Sequence, residues 1–141
     1  MSANSFKTSL RVVWVDTDGA GVVHYSNYFR FFERAEEDFY RFLGFTFADY
    51  KASGLWFPRV EASCQYKKPA HYDEVLEIEV SVEELREKAV KLGFKVTDKA
   101  SGDLLAIGHL VIVAADKQLG KAIKLPAGMV EKLRPFAKQI L

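Results

Sequence analysis

Within fifteen residues, Trp14-Val15-Asp16-Thr17-Asp18-Gly19-Ala20-Gly21-Val22-Val23-His24-Tyr25-Ser26-Asn27-Tyr28, the chain gathers two carboxylates, two glycines and an imidazole just ahead of an amphipathic run. A carboxylate, ionised at neutral pH, can attack a carbonyl carbon or orient a water toward it. A helix starting after Ser26, a favourable N-cap type, would present free N–H groups and the positive end of its dipole at the same spot. Together these can polarise a carbonyl and stabilise an oxyanion. The same residues also suit a purely structural turn, because Asp side chains bond to nearby backbone and Gly relieves steric limits. On residue types alone both readings stand.

The elements that must position this loop are legible on either side of it. From Thr8 to Val15, Leu10, Val12 and Trp14 alternate with Ser9, Arg11 and Val13, the period of two of a strand with one buried face. After Ser26, the apolar Tyr28, Phe31, Phe32, Ala35, Phe39, Phe42 and Leu43 recur at steps of three and four, with Arg30, Glu33, Arg34, Glu36, Glu37 and Arg41 on the other face. That spacing predicts one long helix of about 25 Å ending at Gly44. A short helix over 47–52 is weakly signalled.

Four strands follow. Val60, Ala62, Cys64 and Tyr66 alternate with polar neighbours, as do Leu76, Ile78, Val80 and Val82, and then Val90, Leu92, Phe94 and Val96. The run 104–115 is apolar nearly throughout, as in a central strand covered on both faces. Connections such as 84–87 and 98–102 are too short for crossover helices, so neighbours should pair antiparallel. The tail from Pro126 has helical spacing that Pro135 should cut or kink. The expected fold is α+β, about five antiparallel strands against one long helix. Sheet edges with this aromatic content favour edge-to-edge pairing of two copies.

A length of 141 residues fits one domain, 1–141, and the 49% hydrophobic and 28% charged shares are those of a globular protein. A net charge of +1 supplies no general attraction for nucleic acid. The lone Cys64 forms no internal disulfide, and neither a leader-like apolar start nor a stretch of about 20 apolar residues is present, so a cytoplasmic location is expected. Gly19-Ala20-Gly21 lacks the third glycine and the strand-helix-strand setting of a dinucleotide fingerprint. Asp16-Thr17-Asp18 begins like a calcium loop, but Ala20 and Asn27 stand where ligands are needed. His24, His71 and His109 have no metal-ligand spacing, so no metal and no cofactor are expected.

Residues 16–28, continued by Phe29-Arg30-Phe31-Phe32-Glu33-Arg34-Ala35, resemble the signature of the 4-hydroxybenzoyl-CoA thioesterase family, particularly its Tol-Pal-associated acyl-CoA thioesterase branch. Tyr66-Lys67-Lys68-Pro69-Ala70 and Asp73-Glu74-Val75-Leu76-Glu77-Ile78 extend the resemblance over almost the whole chain. The resemblance implies a hotdog fold, a sheet wrapped around one long helix, and hydrolysis of acyl-CoA thioesters. It implies Asp18 as the catalytic carboxylate, the Tyr25 amide as the carbonyl-polarising donor, and Asp16 as a loop-shaping residue bonded to backbone.

The Tol-Pal-associated branch carries a histidine at the position of Tyr25 and a tyrosine at that of Trp14. Here the imidazole is one residue earlier, at His24, either orienting water or substrate or holding the loop. For substrate binding the expectation is Trp14 and Tyr28, with Trp56 and Phe57 as further aromatics, at the acyl group, and Arg86 and Lys88 at the nucleotide of CoA. Family membership also implies a homodimer or homotetramer with the site between subunits. The rival readings are a hotdog domain that only binds acyl-CoA or a partner, and a hotdog dehydratase pairing a histidine with a carboxylate.

Overall fold

A computed structural model describes residues 3–141. β1 (Phe6–Arg11) passes through a 3-10 turn at Trp14–Asp16 to α1 (Asn27–Leu43), followed by α2 (Ala48–Lys51) and the short β2 (Leu55–Trp56). Four long strands come next: β3 (Arg59–Tyr66), β4 (Val75–Leu85), β5 (Ala89–Asp98) and β6 (Leu104–Val113). The short β7 (Ala115–Asp116) and β8 (Lys121–Ala122), α3 (Ala127–Leu133) and a 3-10 turn at Arg134–Phe136 follow. The main sheet has the order β1-β4-β5-β6-β3 with all neighbours antiparallel, and β2, β7 and β8 form a small second sheet. This is the expected α+β arrangement.

α1 lies on one face of the main sheet. Its Phe31, Phe32, Ala35 and Phe39 are buried together with Leu76, Ile78, Val80, Leu92, Phe94 and Val96. Phe32 stacks on Phe94 with centroids 4.7 Å apart, and Gly108 on β6 leaves the room: a Cβ there would overlap the Phe32 ring. Gly108→Ala is therefore expected to lower stability by about 1–3 kcal/mol through overpacking. Urea unfolding checks this, and an unchanged midpoint would mean that α1 shifts freely over the sheet.

α1 ends as its sequence dictates. Gly44 takes the left-handed conformation (φ 97°) and its N–H returns to the Tyr40 carbonyl at 2.9 Å. Pro135 interrupts the tail helix, which closes in the 3-10 turn that buries Phe136 against Phe39, 5.0 Å between centroids. β6 is buried on the face of Ala106, Gly108, Leu110 and Ile112 but only partly on the other, where Ile107, His109 and Val113 are half-buried, and it lies beside the edge strand β3 while β5 occupies the middle of the sheet.

Three expectations are corrected. β1 stops at Arg11 rather than running to Val15, because the Asp16 carboxylate accepts the Val13 N–H at 2.9 Å and closes the 3-10 turn. Ser26 has helical dihedrals and makes no side-chain cap; the His24 ring and carbonyl receive the first N–H groups instead. Glu36, placed by spacing on the solvated face of α1, is fully buried, accepting the Tyr40 hydroxyl at 2.7 Å and pairing with Arg59. Burial raises the Glu36 carboxyl above the usual carboxylate range, against the opposing pull of Arg59.

Candidate active site

The loop 16–24 is folded by its own polar groups. The Asp18 N–H donates to the Val22 carbonyl at 2.8 Å, the Gly21 N–H donates back to the Asp18 carbonyl at 3.2 Å, and Gly21 takes φ 82° to allow the return. Asp18 Oδ1 accepts the Ala20 N–H at 2.8 Å and the Val22 N–H at 3.3 Å. Among the described residues its other oxygen, Oδ2, accepts no hydrogen bond. The Asp18 carboxylate is thus held by Oδ1 alone.

Asp16 does the shaping. Besides receiving Val13, its carbonyl accepts the His24 N–H at 2.9 Å and the Asn27 side-chain amide at 2.8 Å, which ties the loop to the start of α1. The pairing of Thr17 with Val23 closes the loop on itself, and the pairing of Val22 with His71 and the Val23 N–H on the Ala70 carbonyl stitch it to the segment after β3.

These constraints make one cleft of about 350 Å3, lined by Asp18, Val22, Tyr25, Tyr28, Tyr66 and Lys67, with Val23, Lys68 and Pro69 completing its walls. The volume is that of a small-molecule site. Tyr25 sits at its edge ahead of the α1 hydrogen-bond ladder, and among the described residues its N–H donates to nothing within the chain. Its carbonyl accepts the Tyr66 hydroxyl at 2.8 Å, a bond joining β3 to the helix start across 41 residues. Tyr66 also meets the buried Tyr28 ring edge-on at 5.1 Å. Desolvation among these groups, with the neighbouring Cys64, pushes the Tyr66 phenol up to about 12, so it stays a donor at neutral pH. Burial likewise raises the Tyr28 phenol.

Of the residues singled out from sequence, Asp18, Tyr25 and Tyr28 line this cleft together. His24 does not line it. Its ring stacks on Tyr25 at 4.4 Å, and its Nδ1 receives the Ser26 N–H at 3.3 Å and lies 2.8 Å from the Ser26 hydroxyl, the position of a helix cap. Accepting at Nδ1 leaves the neutral ring's proton on Nε2.

Trp14 also lies outside the cleft lining, turned out by the 3-10 turn, 74% exposed and edge-on to Tyr72. Trp56 and Phe57 lie in a separate apolar pocket. Arg86 and Lys88 occupy the β4–β5 hairpin, and Arg86 pairs with Glu84. They follow the end of β4 remote from the loop, about 33 Å away along an eleven-residue strand, so one protomer does not bring them to Asp18. Lys67 and Lys68, read from sequence as available partners for the CoA phosphates, lie in the cleft wall. The bond from the Tyr66 hydroxyl was not read from sequence, because the Tyr66-Lys67-Lys68-Pro69 run carries no indication that it folds against Tyr25.

Comparison with known proteins gives the family. Residues 12–133 match the family described as the thioesterase-like superfamily. A structurally characterised protein from Aquifex aeolicus is 33% identical, superimposes with a TM-score of 0.84, and the match covers 91% of this chain and 98% of that one. The acyl-CoA thioester hydrolase YbgC of Escherichia coli is 27% identical over 95% of this chain and 99% of its own. The structure of a 4-hydroxybenzoyl-CoA thioesterase variant with 4-hydroxybenzoyl-CoA bound is also 27% identical, with a TM-score of 0.83 over 93% of this chain and 99% of that one. Equal identity to these two does not single out the Tol-Pal-associated branch. With the family signature spanning 12–133 and the helix-on-sheet architecture shared from end to end, the chain belongs to the thioesterase-like superfamily and is a hotdog-fold thioesterase.

Proposed function

We propose that this protein hydrolyses an acyl-CoA thioester to the free acid and CoA at the Asp18 cleft. The observation that supports this most is that Asp18 and the unspent Tyr25 N–H border the same cleft at the positive end of α1. In this reading the thioester carbonyl oxygen takes the Tyr25 N–H, and charge developing on it in the transition state is stabilised there. Asp18 Oδ2 then either attacks the carbonyl carbon, giving an acyl anhydride that water cleaves, or removes a proton from an attacking water. Both routes consume one water and release the free acid and the CoA thiol; in the anhydride route water can attack the acyl carbon, which puts its oxygen in the acid, or the Asp18 carboxyl carbon, which puts it in the side chain.

Single turnover in 18O-labelled water distinguishes the two routes, since only the anhydride route can leave 18O in the Asp18 side chain. The test of the proposal as a whole is thiol release from a panel of aliphatic and aromatic acyl-CoAs. No release above background from any of them would reject it and favour a domain that only binds.

The hydroxyl of Tyr66 fits a positioning role, fixing the turn that carries the Tyr25 amide. Tyr66→Phe removes one neutral hydrogen bond, worth about 1 kcal/mol, and is expected to lower kcat about fivefold with KM and melting temperature little changed. Equal losses in KM and melting temperature would instead indicate that the bond only supports the fold.

The proposal includes a homodimer. β3 is an edge strand exposed along most of its length, with Val60 and Tyr66 at 62% and 47%, and its free backbone row can pair with that of a second copy. A partner would be the only source from which Arg86 and Lys88 could approach the CoA nucleotide. No helix among the described residues is long and apolar enough to cross a membrane.

A further inference from the structure

Two cationic side chains line the Asp18 cleft, Lys67 and Lys68, and they differ in what they face. The Lys68 ammonium lies 3.3 Å from the Asp103 carboxylate, whereas among the described residues Lys67 forms no ion pair. Asp18 is the one carboxylate in the cleft lining. The backbone under Lys67 is fixed: its N–H donates to the Leu105 carbonyl at 2.8 Å, and the preceding residue, Tyr66, donates its hydroxyl to the Tyr25 carbonyl at 2.8 Å. The side chain therefore starts from a point pinned to the turn that carries the Tyr25 amide. Its ammonium, on an exposed residue, can turn toward a group entering the cleft.

The chemistry at the cleft leaves one charge without a partner. When Asp18 Oδ2 adds to the thioester carbon, the adduct can expel either the carboxylate or the thiolate. Carboxylic acids ionise at about pH 4 and thiols at about pH 8.5, so the carboxylate is the better leaving group and the adduct reverts unless charge on sulfur is stabilised. When water adds instead, the thiolate must still leave with its negative charge. The Tyr25 N–H is taken by the carbonyl oxygen. An ammonium group has three N–H donors and a full positive charge, and a charge-assisted bond from it to the sulfur meets this need.

We infer that Lys67 is a catalytic residue that stabilises the departing thiolate. The carbon–sulfur bond breaks with its electron pair on sulfur, and the thiolate pairs with the Lys67 ammonium. The water consumed in hydrolysis supplies one proton to the thiolate and the other to solvent, which leaves the acid ionised and Asp18 and Lys67 as they began. The inference rests on hydrolysis at the Asp18 cleft. It differs from a contact with the CoA phosphates, which lie at the far end of the pantetheine arm from the sulfur.

The test compares Lys67→Gln with the unsubstituted protein on three thioesters of one acid: the CoA ester, the N-acetylcysteamine ester, which keeps an alkyl thiol but has no phosphate, and the ester of 5-thio-2-nitrobenzoate, whose thiolate leaves unaided. The readout is kcat/KM, which reports every step up to thiol release. Loss of one charge-assisted bond is expected to lower it about tenfold for both alkyl thioesters and by less than about twofold for the aryl one. Lys67→Arg should restore most of the loss, with the melting temperature unchanged in both variants because Lys67 is exposed. An equal loss on all three esters would make Lys67 a shaper of the cleft, and a loss confined to the CoA ester would make it a phosphate contact; either result, or no loss at all, overturns the inference. Turnover by the unsubstituted protein is a separate result that decides the hydrolytic reading, and its absence with every ester would overturn both.

Discussion

Asp18→Asn is expected to lower kcat on the best acyl-CoA substrate by about 10³-fold or more, equivalent to roughly 4 kcal/mol of transition-state stabilisation, with substrate affinity nearly unchanged. The substitution suits the site because the asparagine carbonyl can still accept the Ala20 and Val22 N–H groups that Oδ1 accepts now, so the loop keeps its shape. Only the negative charge and the nucleophilic or basic second oxygen are lost. Stopped assays with thiol capture give kcat, and binding of a non-hydrolysable thioether analogue gives affinity. Near-normal turnover would remove Asp18 from the chemistry; loss of binding together with turnover would mean that the charge shapes the cleft rather than the reaction.

The second large effect concerns stability. Arg59→Met keeps most of the side-chain length but leaves the Glu36 carboxylate, fully buried, with only the Tyr40 hydroxyl as partner. Removing one member of a buried pair costs about 3 kcal/mol or more, which urea unfolding near neutral pH measures. The direction with pH follows from Glu36, whose carboxyl is raised in the folded state by burial. A group that binds its proton more tightly when folded makes stability fall as pH rises from the ordinary carboxylate range through the raised value. In acid, where folded and unfolded chains are both protonated at this position, the loss from Arg59→Met shrinks. Glu36→Gln should abolish this part of the slope, and a slope unaltered by that substitution would place the titration elsewhere.

The long helix, its stop at Gly44, the break at Pro135 and the antiparallel strands were legible because each is set by residues within a few positions of one another. Asp18 and Tyr25 share a cleft for the same reason: the loop and the helix start are contiguous in sequence. What escaped the sequence depends on distant partners or on one competing local bond. Alternation through Val12 and Trp14 suggests a longer first strand, and only the reach of the Asp16 carboxylate back to Val13 ends it. Glu36 sits at a position that spacing assigns to solvent, and nothing local reveals that Arg59, 23 residues later, makes its burial tolerable. The meeting of Tyr66 with Tyr25 spans 41 residues and arises only when β3 folds beside the helix start.

The self-contained bonding of the Asp18 loop has an evolutionary consequence. Its carboxylate is oriented by amides two and four positions downstream, and the whole turn is fastened to the helix through the neighbouring Asp16. In the proposed mechanism the two reacting groups, the Asp18 carboxylate and the Tyr25 amide, therefore sit on one short unbroken stretch of chain. Under that mechanism, substitutions elsewhere can reshape the walls of the cleft without touching the bonds that aim the carboxylate.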